Sequence, residues 1–332
     1  MIARLAIQAG CDGPRPLNPV RDLDAVADLL EAVFKRDLGV GGRRMIRKAR
    51  AMSKTGPLVY LLSHLSEARG GLSPGLVWEQ NGQIVGNVTL MRSNRQPGAW
   101  QMANVAVHPD HRHRGIATRL LKAAVEHISQ RNGRAISLQV RQNHPAVALY
   151  RQLGFQSLGA VTRWRLDGRW QLDQILTTGR SLRRARRSDW AAIWRLFHSV
   201  TPAAHGWPDP RQEKDFRPNF WRGVADFIDG QVTHRWVRPS TTGAGLDGYA
   251  ELCTRPGSYH RLTLRTRPAV SGELEGDLLQ MALRHIWPPG TNRVLVDHPA
   301  GDAPAEGRLR EAGFRPLRTL VLMKLILAKA DK

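Results

Sequence analysis

The residues best suited to chemistry lie where an apolar strand runs into a basic loop and then a helix. A glycine stands where that helix begins. Helix N-termini present unpaired N–H groups with partial positive charge, and glycine lets an anion approach the backbone. The pattern predicts a pyrophosphate cradle beside an extended strand. Its residues are Val105, Ala106 and Val107 in the strand and Arg112, His113, Arg114, Gly115, Ile116, Ala117 and Thr118 in the loop and first helical turn.

Two blocks of sequence resemble one known family. The segment from Arg112 to Ala117 is similar to the Arg/Gln-x-x-Gly-x-Gly/Ala signature of the GCN5-related N-acetyltransferases (GNAT). The segment from Asn143 to Phe155 resembles the family's Asn-x-x-Ala-x-x-Leu-Tyr-x-x-x-Gly-Phe block in residue type and spacing. Because the blocks stand in the family's order, separated by a predicted helix and strand, together they are far more specific than either alone.

The resemblance implies a site and a reaction. Backbone groups of the strand 105–107 would pair with the pantetheine arm of acetyl-CoA, and N–H groups of 112–118 would hold its pyrophosphate. Asn143 would bond the cosubstrate near the pantetheine. The family reaction is direct attack of an amine on the thioester, and Tyr150 would supply the proton to the leaving thiolate.

The general base is the point where the chain departs from the family. Gln139 stands where many relatives that acetylate protein N-termini carry a glutamate, and an amide cannot take the proton. A water, a residue from another segment, or no base at all for an amine that arrives neutral remain open.

An internal repeat predicts two copies of one domain. A shift of 159 residues carries the strand, proline and Gly-Phe pattern of 134–166 onto 294–325. We therefore predict an α/β (α+β) fold with two tandem GNAT-like domains, residues 1–170 and 171–332, each a mixed, mostly antiparallel sheet flanked by helices. In the second copy, Ser271–Gly276 replaces the basic loop, Leu309 replaces the tyrosine and Asp302 replaces the asparagine. We expect the first copy to be catalytic and the second to be degenerate.

The opening of each copy reads as an amphipathic helix followed by hairpin strands. Asp22 and Asp189 are predicted N-caps of these helices. In the second copy, the turn at 229–230 predicts a hairpin between strands at 225–228 and 231–237.

The charge of the chain favours an anionic partner. Its 50 Lys and Arg against 28 Asp and Glu give a formal net charge of +22. A basic run at 35–54 is either a solvated face or a surface beside the acceptor site, where it would attract an anionic acceptor and repel a polycation. The alternatives to an acetyltransferase are a non-catalytic acyl-CoA-binding or regulatory module and an RNA-associated basic protein, of which the nucleic-acid binder is the less favoured.

Cysteine content and hydropathy predict a cytoplasmic protein. Its two cysteines, Cys11 and Cys253, are too far apart in sequence to suggest a disulfide framework, and no apolar run reaches the ~20 residues of a membrane span. Three loop histidines, His108, His111 and His113, could suggest zinc, but we predict no metal because nothing requires them to converge on one point. A monomer and a homodimer both remain open.

Overall fold

The structure, a computed structural model, describes residues 12–35, 47, 50, 72–168, 182–202, 210–219, 221, 226, 228, 230–241, 243, 245–254, 259–286 and 293–327. The strands are β1 (Gly13–Pro16), β2 (Leu72–Gln80), β3 (Gln83–Arg92), β4 (Ala99–Val107), β5 (Ala135–Arg141), β6 (Gln156–Leu166), β7 (Arg183–Arg184), β8 (Val232–Pro239), β9 (Leu246–Thr254), β10 (His260–Thr266), β11 (Val294–Pro299) and β12 (Arg315–Ile326). The helices are α1 (Pro19–Phe34), α2 (Ile116–Ser129), α3 (Ala146–Gln152), α4 (Trp190–Val200), α5 (Leu274–Leu283) and α6 (Ala303–Glu311).

Contacts divide the chain into two units. Unit 1 comprises residues 1–139, 145–156 and 323–332, and unit 2 comprises residues 140–144 and 157–322. The predicted division at residue 170 follows the sequence repeat and stays a prediction. The compact units are divided at other residues. In particular, β6 lies in the first half of the sequence, but from Ser157 onward it belongs to unit 2.

Unit 1 contains strands in the order β1-β2-β3-β4-β5. The first four are antiparallel, and β4 and β5 are parallel. Val77 and Ala106 pack with the buried face of α1, whereas the neighbouring Trp78 lies on the side of Gly86 that faces α2. Because successive strand residues point to opposite faces, the two helices cover opposite faces of this sheet.

Unit 2 repeats this arrangement with strands in the order β6-β11-β10-β9-β8-β7. Only β10 and β11 are parallel among the pairs whose register is described. Helix α5 packs in a core that includes Trp164 and Leu166 of β6, and α4 packs on Val237 and Tyr249. The predicted fold class, a mixed and mostly antiparallel sheet flanked by helices, is confirmed.

The first helix of each unit is held by an ion pair of the same kind. Arg15 donates two hydrogen bonds to Asp22 at 2.6 and 2.9 Å, and Arg183 donates two to Asp189 at the same distances. The predicted cap at Asp22 is wrong, because Asn18 caps α1 and the Asp22 side chain is buried within the first turn. Its carboxylate instead accepts the two hydrogen bonds from Arg15 and one from the N–H of Asn18 at 2.7 Å. A bidentate bond between charged groups is stronger than one to a neutral N–H of the first turn.

The predicted hairpin at the start of the second copy's sheet is also wrong. Asp226 and Ile228 are helical, and β8 instead forms its antiparallel pair with β9. A run of four residues with alternating apolar side chains is too short to separate a strand from a helical turn.

Candidate functional site

Strand β4 offers an unpaired edge on one side. Its parallel pairing with β5 covers 99–101 opposite 135–137 and stops there, whereas its antiparallel pairing with β3 continues to Val107. Within the part of the chain that the structure describes, no register joins 102–107 to a strand on the β5 side. The two strands therefore diverge and leave an edge to which another extended molecule can bond.

The register shows which residues face that edge. The N–H of His108 donates to the carbonyl of Val85 on β3 at 2.8 Å. Because alternate residues of a strand direct their backbone groups to opposite edges, the N–H groups of Val105 and Val107 point away from β3. These are two of the residues predicted to pair with pantetheine.

The predicted phosphate loop follows directly. Gly115 caps α2 with φ 71°, in the left-handed region, and His113 also has positive φ. Over residues 113–118, the backbone N–H groups have no hydrogen-bond acceptor among the residues that the structure describes. Arg112 and Arg114 are exposed beside them. Free N–H groups and positive charge at a helix start form a site for phosphate.

Several contacts hold this loop against unit 1. The Arg112 Nε donates to the carbonyl of Val107 at 3.2 Å. The guanidinium of Arg119 lies 4.5 Å from the centre of the Trp78 ring and donates to the carbonyl of Arg114 at 3.2 Å. The loop is thereby fixed before any ligand binds, which lowers the entropy cost of binding.

Tyr150 lies on α3 of the same unit. It is 6% exposed, and its ring meets the edge of Phe155 with centroids 5.9 Å apart. Burial raises the pKa of its phenol to about 12. The group therefore stays protonated at neutral pH and can act only as a hydrogen-bond or proton donor.

The remaining predicted residues are exposed. Asn143 lies in the turn after β5, within the five residues that belong to unit 2, and Gln139 is exposed at the end of the part of β5 in unit 1. The roles given to Asn143, Tyr150 and the loop residues stay predictions.

In unit 2, a carboxylate of the protein itself accepts hydrogen bonds at the equivalent helix start. Glu275 is buried and accepts from the N–H of Gly272 at 2.7 Å, from Thr266 Oγ1 at 2.5 Å and from Ser271 Oγ at 3.3 Å. Donors that are free in unit 1 are thus already used. This arrangement agrees with the sequence difference that led us to expect a degenerate second copy.

The residue of the second copy that corresponds to Asn143 also forms hydrogen bonds within the protein. Asp302 accepts from Ser271 and bonds the His298 ring at 2.9 Å. The hydrogen bond from His298 is the main cause that lowers the pKa of the Asp302 carboxyl. Leu309, at the tyrosine position, is buried.

Sequence reasoning missed a polar cluster at the middle of β4. Asn104 has φ 51° and interrupts the register between β3 and β4, and it contacts Asn87 and Thr89 through hydrogen bonds. The available signal was an asparagine inside the otherwise apolar segment 102–107.

Other predictions fall mainly outside the described residues. Of the basic run at 35–54, the structure describes Lys35, Arg47 and Arg50. Arg50 pairs with Asp28 and Glu31 of α1 at 2.7 Å each. No helix among the described residues is long and apolar enough to span a membrane. Within the same ranges, no group of three or more His, Cys, Asp or Glu side chains is arranged to hold a metal.

Solved structures support the fold of the whole chain. A GCN5-related N-acetyltransferase from Sphaerobacter thermophilus matches with a TM-score of 0.60 and 15% identity, over 94% of this chain and 95% of the other. A tandem GNAT protein from the clavulanic acid biosynthesis pathway matches with a TM-score of 0.53 and 16% identity, over 96% of this chain and 99% of the other. At these identities the likeness concerns the fold alone.

The match to a family model lies in the first half of the chain. Residues 48–155 match the family model described as the acetyltransferase (GNAT) family. A Bacillus subtilis protein with the provisional name ribosomal protein bS18-alanine N-acetyltransferase is 33% identical over 99 residues, which is 28% of this chain and 60% of the relative. The N-alpha-acetyltransferase RimI of Mycobacterium tuberculosis is 35% identical over 90 residues, which is 26% of this chain and 55% of the relative. The segment 48–155 is therefore similar to the acetyltransferase (GNAT) family, over about a third of the chain.

Proposed function

We propose that unit 1 transfers an acetyl group from acetyl-CoA to an amine by direct attack on the thioester. The observation that carries this proposal is the open edge of β4, which runs into a loop whose N–H groups at 113–118 have no acceptor among the described residues. The edge fits an extended pantetheine amide chain, and the loop fits a pyrophosphate. The glycine at the cap leaves the backbone open to close approach by phosphate oxygens.

The reaction needs donors for the charge that develops on the thioester. The amine nitrogen attacks the carbonyl carbon, the C–S bond breaks, and the proton lost by nitrogen balances the proton gained by sulfur. The N–H of Val105 faces the open edge and is our candidate donor to the carbonyl oxygen as it becomes negative. This assignment uses the backbone, so it does not depend on the side chain at this position.

The phenol of Tyr150 serves better as a hydrogen-bond donor than as a full acid. A thiol has a pKa of about 8.5, and the phenol's pKa is about 12. Complete proton transfer to the thiolate would therefore cost about 5 kcal/mol at 1.36 kcal/mol for each pKa unit. We infer that Tyr150 stabilises the leaving sulfur by donation and that the proton from the amine completes the thiol.

We propose the α-amino group of a polypeptide as the acceptor. The names of the Bacillus and Mycobacterium relatives support this class, and the net charge of +22 favours an acceptor without a basic sequence. Gln139 cannot serve as base, so the amine must lose its proton to water or to a residue from another segment, or arrive neutral. An α-amino group, with a pKa near 8, is more often neutral than a lysine.

The test is thiol release from acetyl-CoA with a panel of peptides. It compares free N-terminal peptides with acidic, neutral and basic following residues, together with an N-terminally blocked lysine peptide as control. We expect turnover on free N-termini, highest for the acidic series, and none on the blocked peptide. Binding of CoA by calorimetry with no turnover on any amine would instead identify a non-catalytic acyl-CoA-binding module. Lack of CoA binding would refute the site itself.

A further inference from the structure

A buried polar cluster lies on β3 and β4 where an apolar sheet face would be expected. Asn87 has no exposed surface and stands beside Val77 and Ala106, which pack against α1. Its Nδ2 donates to the carbonyl of Asn104 at 2.9 Å. Asn104 Nδ2 in turn donates to Thr89 Oγ1 at 3.2 Å.

This cluster supports a β-bulge in β4. Between the pairs Asn87–Ala106 and Thr89–Ala103, β3 contributes one residue and β4 contributes two. Asn104 absorbs the extra residue with φ 51°, a conformation that costs an L-residue roughly 1 kcal/mol. The bulge lies just beyond the point at which β4 leaves β5. It therefore sets the direction of the backbone groups at the open edge.

The cluster retains an unpaired group. The Oδ1 of Asn87 is buried and has no hydrogen-bond partner within the part of the chain that the structure describes. Such an oxygen opposes folding, and an apolar residue at this position would avoid the cost. Polar groups and unusual backbone conformations of this kind are typical of functional sites, where the geometry is required by the chemistry.

We propose that Asn87 is a positioning residue, which holds the left-handed Asn104 so that the N–H of Val105 points into the open edge of β4. The inference rests on the proposed acetyl transfer. Asn87 acts through the backbone and touches neither substrate nor reacting atoms. Its loss should impair stabilisation of the thioester oxygen and leave pyrophosphate binding at 113–118 intact.

The experiment compares Asn87→Ala and Asn104→Ala with Asn81→Ala as the matched control. Asn81 also has positive φ, 49°, but lies in the β2–β3 turn. We expect kcat to fall 10- to 100-fold in the first two variants, with the KM for acetyl-CoA changed less than threefold, and no fall in kcat for the control. Asn104→Gly added to Asn87→Ala should recover at least threefold in kcat, because glycine adopts the left-handed conformation without support.

A second readout does not need turnover. Calorimetry gives the ratio of Kd for CoA to Kd for acetyl-CoA, which should exceed one in the wild type and approach one in Asn87→Ala and Asn104→Ala. If Asn87→Ala does not fold, Asn104→Ala decides. An unchanged ratio and kcat, or a double variant no better than Asn87→Ala, would overturn the positioning role. Absence of wild-type turnover with a ratio that changes as expected would overturn only the proposed transfer.

Discussion

The substitution Gly115→Ala tests the phosphate loop most directly. Gly115 has φ 71°, and a Cβ there would meet no atom within 4 Å, so the new methyl group would project into open space beside the free N–H groups. Gly82, with φ 75° and equally open surroundings, provides a matched control at the β2–β3 turn. Both substitutions should lower stability by roughly 1–2 kcal/mol, the cost of a left-handed L-residue.

Only Gly115→Ala should also weaken CoA binding. A hydrogen bond to a charged group contributes about 1.5–3 kcal/mol, so a phosphate displaced from one N–H should lose roughly tenfold to a hundredfold in affinity. Calorimetry with CoA measures the Kd, and thermal melting measures the shared stability cost. Equal CoA affinities for the two variants, with Gly115→Ala melting lower than the wild type, would refute the assignment of the loop.

Three further outcomes follow from buried groups and strand placement. Tyr150→Phe should lower kcat and leave the CoA Kd unchanged; because the phenol's pKa is about 12, the wild-type pH–rate profile should show no loss from this group below about pH 11. Glu251 of β9 accepts hydrogen bonds from Arg211 at 2.9 Å and Arg235 at 2.8 Å. Against desolvation, these arginines lower the pKa of its carboxyl to about 2, so its stabilisation of about 3 kcal/mol is complete above about pH 4.5 and lost as pH falls toward 2. The free energy of unfolding of Glu251→Gln should therefore fall less between about pH 4.5 and about pH 2 than that of the wild type. A difference between the two proteins that stays constant across that range would contradict this. A fragment ending at residue 170 should expose Trp164 and aggregate or bind a hydrophobic dye, whereas a stable, soluble 1–170 fragment would refute the strand assignment.

The location of β6 illustrates what sequence could not supply. Its alternating apolar pattern predicts a strand, but the choice of partner depends on distant residues. In the structure it pairs with β11, and Arg163 forms two hydrogen bonds with Asp297 at 2.6 and 2.7 Å. Residues 323–332 likewise belong to unit 1, where Leu327 donates to the carbonyl of Arg134. Strand order is set by long-range burial, which a local pattern does not encode.

The helix cap at Asp22 shows the same limit at smaller scale. An aspartate before an apolar stripe is a good N-cap by local rules. In the structure, Arg15 of β1 pairs with the Asp22 carboxylate, and Asn18 caps the helix. The sequence did not predict the corresponding Arg–Asp pair of unit 2 either, because in neither copy do the two residues stand at a helical spacing.

By itself, the sequence predicted the phosphate-binding chemistry of one loop and the doubling of the domain. Both conclusions rest on local properties: free N–H groups at a helix start beside a glycine, and residue types that recur at a fixed shift. The tertiary structure decided which edge of β4 is open, how the left-handed Asn104 is supported, and that Glu275 closes the second copy's loop. Each of these depends on side chains and strands brought together across many residues, where burial and hydrogen bonding select one pairing among several that the local sequence allows.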